Sequence, residues 1–260
     1  MLDRDGGTER EIKIERMQIE LIEAGKHFSH VWALRNISAR FESGKIYAVL
    51  GANGAGKSTL LKLLAGWLPL TNGQILIDGM PLRPTAARLR RNLMLLADER
   101  PNLALGSRTP LKSLARNIED YRADHPGIED EVADWCERLA VISLVGRTGE
   151  QISKGQAYKL AMIELFVIAP PVWLLDEPFS AGLDAAGLLA LENQIRQHAN
   201  KGGTVIFSSQ WPEHAKRLAD QAFVLHEGTL VWNDAPQISP PVDVMSNAPE
   251  SLLAVLKGLG

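Results

Sequence analysis

The sequence predicts an α/β fold with a mostly parallel sheet, and three patterns predict it. Short apolar runs of strand length recur at 45–50, Leu93–Leu96, Val172–Leu175, 204–208 and 222–225. Segments with apolar residues three and four apart fall between the later ones, at Ala185–Asn200 and Pro212–Leu218. The first run passes directly into a glycine-rich loop, and the stretch after that loop, 59–68, has helical character. Strands alternating with helices imply parallel pairing with helices on both faces.

The remaining elements follow along the chain. Residues 1–16 are charged and read as a polar leader. Alternation at 18–22 and 37–41, with Gly44 as a turn, predicts an antiparallel β subdomain near the N-terminus. Helix 59–68 stops before Pro69, and Asn72-Gly73 marks a turn into a strand at 74–77. From about 100 to 168 the pattern becomes helical, with periodic segments at 111–118, 128–139 and 156–168, and is expected to form an inserted helical subdomain. Gly228 turns the chain into 230–232. The main domain is expected over 17–235, and 236–260 is a Pro-rich, weakly helical tail.

Composition narrows the class. The 260 residues are 45% hydrophobic and 23% charged, as in an ordinary globular domain. A formal charge of −3 gives no basic excess, so nucleic acid is not expected as a partner. The single cysteine, Cys136, permits no intramolecular disulfide and is expected as a small buried hydrophobe. The longest apolar runs, 60–70 and 165–175, are too short to span a bilayer and are broken by Lys62 or by Pro170 and Pro171. No apolar secretory segment opens the chain. A soluble, cytoplasmic protein is expected.

The loop Gly51-Ala52-Asn53-Gly54-Ala55-Gly56-Lys57-Ser58, followed by Thr59, has the spacing of a phosphate-binding P-loop between strand and helix. Glycines let successive backbone N–H groups turn around an anion, and the helix N-terminus adds its positive end. Lys57 supplies a point charge for the β- and γ-phosphates of ATP, and the Ser58 hydroxyl can ligand Mg2+. Downstream, the apolar strand Val172–Leu175 ends in Asp176-Glu177. A carboxylate at the mouth of such a strand suits Mg2+, the role expected of Asp176. Glu177 would lie beside the γ-phosphate and polarise an attacking water as general base.

With Ser180-Ala181-Gly182-Leu183-Asp184 and Ile152-Ser153-Lys154-Gly155-Gln156 also in place, the chain resembles the ATP-binding subunits of ABC transporters over roughly 18–233. The resemblance implies a P-loop NTPase core and two subunits, identical or different, stacked head to tail around two ATP. A separate membrane permease would complete the transporter and hold this chain at the inner face of the cell membrane. Ser153, Lys154, Gly155 and Gln156 would then face ATP bound by the opposite subunit, and Asp184 would be the aspartate that crosses between subunits. Phe28 matches the aromatic that stacks on adenine, with Trp32 as the alternative.

Three positions depart from the family pattern. Gln210 stands where a histidine normally meets the γ-phosphate; its amide can donate a hydrogen bond but carries no charge. His214 is one helical turn later and is expected to face elsewhere. No glutamine follows Leu93–Leu96; Glu99 aligns best, with Asp98 one residue off, and a carboxylate there could ligand Mg2+. Finally, the signature reads Ser-Lys-Gly-Gln, and Lys154 could add a cation near the opposing phosphate or be solvated. Motifs of this kind in two-component exporters point toward export. An intact Glu177 predicts ATP hydrolysis, slowed by Gln210. The alternative is a nucleotide-gated regulatory half of an asymmetric pair, with little hydrolysis of its own.

Overall fold

The computed structural model describes residues 14–82, 92–97, 114, 115, 118, 127–236, 255 and 257. The expected helix at 111–118 is met only at Leu114, Ala115 and Ile118, and Asp98 and Glu99 lie outside the described residues. In chain order the elements are β1 (Ile19–Phe28), β2 (Val31–Phe41), β3 (Ile46–Leu50), α1 (Lys57–Leu64), β4 (Asn72–Ile77), β5 (Met80–Pro81) and β6 (Leu93–Leu96). There follow α2 (Ile128–Arg138), α3 (Lys154–Ile168), β7 (Val172–Leu175), α4 (Ala185–Asn200), β8 (Thr204–Ser209), α5 (Pro212–Leu218), β9 (Gln221–His226) and β10 (Thr229–Asp234).

The strands form two sheets. The larger has the order β10-β9-β3-β8-β7-β6, parallel except for the β9–β10 hairpin, and the smaller, β2-β1-β4-β5, is antiparallel. Every residue of β3, β7 and β8 is buried, as expected of parallel strands covered on both faces. Their side chains alternate between two cores. Ile46, Ala48, Leu50, Trp173, Leu175, Val205 and Phe207 join the core beneath α2–α5. Tyr47, Val49, Val172, Leu174 and Ile206 join the core shared with α1 and the antiparallel sheet. Cys136 is buried in the first of these, where burial pushes its thiol pKa up.

Three elements run differently from their sequence signal. β1 and β2 are much longer than the alternating stretches at 18–22 and 37–41. Bulged register shifts between Leu21 and Ala24, with Glu23 at φ 47°, and a left-handed Asn36 at φ 48° interrupt the two-residue period without ending the strands. Helix α1 stops at Leu64 rather than 68, because Gly66 takes a left-handed φ of 68° just beyond the cap.

At the N-terminal end, Ile14 and Met17 are both buried. Among the described residues, no helix is long and apolar enough to cross a membrane.

Candidate active site

The parallel strands bring the site together at their carboxyl ends, where the crevice of an open α/β sheet lies. β8 sits between β3 and β7, with Leu50 opposite Ser209 and Leu175 opposite Phe207. The loop after β3, the carboxylates after β7 and Gln210 after β8 therefore share one edge of three adjacent strands.

Two glycines of the loop, Gly51 and Gly56, are required by its own surroundings. A Cβ on Gly51 would lie 2.4 Å from the Leu225 carbonyl oxygen, and one on Gly56 2.6 Å from that of Ala33. Gly56 also carries φ 107°, a region that side-chain-bearing residues rarely adopt. The loop is thus pressed between β2 and β9, while Asn53 and Gly54 at its tip are exposed. Ala55 is buried and Ser58 and Thr59 are half-buried at the start of α1, whose first turn contains no acidic residue to occupy its positive end.

Lys57 is 5% exposed and turns back into the loop. Its Nζ donates to the carbonyls of Gly51 at 2.8 Å and Ala52 at 3.1 Å. The same ammonium lies 3.1 Å from Glu177 Oε1. That carboxylate oxygen is buried and has no hydrogen-bond partner among the described residues, so Lys57 is its counter-charge. Glu177 itself adopts a left-handed backbone, φ 47° and ψ 47°, an uncommon state for a residue with a Cβ. Asp176 is buried, and its Oδ1 accepts from Ser208 Oγ at 2.6 Å.

The remaining candidates occupy other edges. Ser153 caps α3: its Oγ accepts from Gln156 N at 3.2 Å, and Gln156 Oε1 accepts from Ser153 N at 2.9 Å. The hydroxyl keeps its own proton for donation to an outside anion. Ser153 and Lys154 are exposed, whereas Gly155 is buried against the loop that carries Gly182. Asp184 caps α4 through Gly187 N at 2.9 Å and pairs with Lys159 of α3 at 2.6 Å. The Lys159 ammonium holds the Asp184 carboxyl below its ordinary range, and Gly187 N adds to this.

Phe28 and Trp32 lie on the β1–β2 hairpin, 43% and 37% exposed. Lys26 Nζ stands 5.0 Å from the Phe28 ring centre, and Trp32 packs against His27. Gln210 is half-buried just beyond β8. His214 turns the other way, with Nδ1 2.9 Å from Ser209 Oγ and its ring 4.3 Å from that of Phe179.

Sequence reasoning missed Ser208 and Lys159. The first is a hydroxyl on a fully buried strand and the second a lysine inside an apolar helix face. A polar residue at an inward position was the available signal for both.

The fold and site together define a P-loop nucleotide hydrolase. Residues 34–180, more than half of the chain, match the ABC transporter family. The chain belongs to that family: it is an ATP-binding subunit of an ABC transporter, and an ATPase. It is 35% identical over 180 residues to the cytochrome c biogenesis ATP-binding export protein CcmA of Pseudomonas fluorescens (strain Pf0-1). That alignment covers 67% of this chain and 80% of the relative. It is 31% identical over 240 residues to the sulfate/thiosulfate import ATP-binding protein CysA of Caulobacter vibrioides, covering 90% of this chain and 68% of that one. Among solved structures, an ATP-binding subunit of an ABC transporter superposes with a TM-score of 0.76 at 24% identity, over 84% of this chain and 90% of the other. At that identity the last match speaks to the fold alone.

Proposed function

We propose that this chain hydrolyses ATP as one half of a head-to-tail pair and drives export through a separate membrane permease. The pair comprises two copies of this chain or this chain and a second ABC ATPase, peripheral to the inner face of the cell membrane. The observation that carries the reading is the split of the phosphate-binding groups. The P-loop and carboxylates share one sheet edge, while Ser153 and Lys154 are exposed at the start of α3, whose first turn holds no acidic residue. A second exposed anion site of this kind suits ATP held by a partner's P-loop.

The chemistry follows from the placement of Lys57 and Glu177, whose charged groups lie 3.1 Å apart. Lys57 would take the β- and γ-phosphates of ATP, with the Glu177 carboxylate beside them. Glu177 then accepts a proton from water as the water oxygen attacks the γ-phosphorus; the bond to the bridging oxygen breaks, leaving ADP and phosphate. Gln210 would donate its amide N–H to the γ-phosphate, and Phe28, or Trp32, would stack on adenine.

Ser58 and Asp176 are the residues that would hold Mg2+. Their donor set, one hydroxyl and one carboxylate, suits a hard cation that keeps most of its shell for water and phosphate. When bound, Mg2+ neutralises charge on the phosphate oxygens. Glu99, outside the described residues, is a further candidate ligand.

Export is favoured by the Ser-Lys-Gly-Gln signature and by the export protein among the relatives, although the CysA relative is an import protein. The deciding test mixes Ser153→Arg with Lys57→Ala chains. Each alone should be inactive as a homodimer, and the mixture should recover activity through the one composite site that keeps both Lys57 and Ser153. No recovery, with both variants folded, would refute the head-to-tail arrangement. A second reading, a regulatory half with little turnover, is favoured by Gln210. Wild-type phosphate release no faster than that of Glu177→Gln, at high concentration and without a partner, would select it.

A further inference from the structure

Resting on the reading of Asp176 as a Mg2+ ligand and Glu177 as the base, we infer that Ser208 is the positioning residue for both carboxylates. Ser208 is fully buried near the carboxyl end of β8, the strand between the P-loop strand and the acidic strand. It pairs with Val49 of β3 on one side, and on the other its preceding residue, Phe207, pairs with Leu175. One hydroxyl there makes two bonds. Its proton is donated to Asp176 Oδ1 at 2.6 Å, and its lone pair accepts from Glu177 N at 2.8 Å.

Each bond fixes a different degree of freedom. The bond to Oδ1 sets the rotation of the Asp176 carboxylate, so that Oδ2 would be the oxygen left for a cation. The bond from Glu177 N satisfies a backbone donor at the point where the chain turns left-handed, φ 47°. That turn aims the Glu177 side chain at Lys57 and the phosphate loop. Asp176 has the further anchor of its own N–H donating to the Leu96 carbonyl at 2.8 Å, so its backbone is fixed independently and its side-chain rotation depends on Ser208. A hydroxyl is the smallest group that donates and accepts at once. Alanine does neither, and a carboxylate in its place would repel Asp176.

The test compares wild type, Ser208→Ala and Ser208→Thr by nucleotide binding, which requires no turnover. Affinity for a non-hydrolysable ATP analogue is measured with excess Mg2+ and with EDTA, alongside the thermal unfolding midpoint. In wild type, Mg2+ should tighten the analogue. In Ser208→Ala the affinity in EDTA should stay within about twofold of wild type while the Mg2+ gain falls about tenfold, the size of one lost charge-assisted hydrogen bond. Ser208→Thr, which keeps the hydroxyl, should retain the Mg2+ gain.

An unchanged Mg2+ gain in Ser208→Ala would overturn the proposal. So would an equal loss in Mg2+ and EDTA, which a merely structural role would give. Absence of any Mg2+ gain in wild type would overturn the metal assignment of Asp176 itself, and the role of Ser208 with it. The two failures are therefore told apart by the wild-type arm.

Discussion

Acidification below pH 6.5 should destabilise this protein through His198 of α4. The imidazole is 3% exposed, stacked on Trp173 with ring centres 4.0 Å apart and planes 17° apart. Its Nε2 lies 3.3 Å from the Pro171 carbonyl oxygen, and a Cβ on Gly203 would come within 2.1 Å of that nitrogen. Burial is the main cause that lowers its pKa from 6.5 to about 4; the Pro171 carbonyl opposes this, and nearby Lys201 adds a small push downward.

The folded chain therefore resists a proton that the unfolded chain accepts below pH 6.5. Stability is complete above that value, falls between pH 6.5 and about 4, and is flat for this group below. At about 1.4 kcal/mol per pH unit, the whole loss is about 3 kcal/mol, of which about 2 kcal/mol is gone by about pH 5. Asp184, held low by Lys159, loses its contribution only as pH falls below the ordinary aspartate value of 3.8, outside this window. Urea unfolding followed by tryptophan fluorescence at about pH 7.5, 6 and 5 measures the curve. His198→Phe keeps an aromatic ring on Trp173 but cannot titrate, so it should lose clearly less stability than wild type over the same range, the remainder falling to His214, whose pKa burial also lowers. If the variant lost as much stability as wild type between about pH 7.5 and 5, the assignment to His198 would be wrong.

Two further outcomes are expected. Gly56→Ala should weaken ATP binding by tenfold or more in equilibrium titration, because φ 107° and a carbonyl at 2.6 Å force the loop to move, at a cost of order 1–3 kcal/mol. Lys159→Met should lower stability by about 1–3 kcal/mol in urea unfolding, because the buried Leu139 carbonyl loses the donor that sits 3.0 Å away. Asp184 keeps its Gly187 cap in that variant, and P-loop affinity for ATP should be unchanged.

Most of the site was legible because its chemistry is local. The P-loop needs glycines at fixed offsets beside a strand, and the acidic pair needs an apolar strand that ends. Both requirements leave short patterns in the chain. Strand limits were readable for the parallel sheet, where β6 and β7 are continuous apolar runs with definite ends. They were not readable for β1 and β2, where bulges at Glu23 and Asn36 shift the alternation within a continuous strand. Contacts across the sequence were the least visible. Ser208 meets Asp176 from 32 positions away, and Lys159 meets Asp184 from 25. Neither pairing leaves a local trace, since each follows from strand order and helix placement. The Lys57–Glu177 pairing was likewise hidden, because both residues were read for what they do to a phosphate and not for what they do to each other.

The contact between the signature turn and the loop bearing Gly182 constrains which changes this stretch can accumulate. A Cβ on Gly155 would lie 2.1 Å from the Gly182 carbonyl oxygen, and Gly182 itself sits at φ 77°. Position 155 cannot accept a side chain without displacing the Gly182 loop, whereas a Cβ on Gly182 would meet only Gly155 N at 3.9 Å and that position is held to glycine by its left-handed backbone. Position 154, in the first turn of α3, is exposed. A bulky lysine could therefore enter the motif there without disturbing its partner loop, while the glycine one residue later stays fixed. Geometry closes this signature at position 155 and leaves room for change at the exposed residue before it.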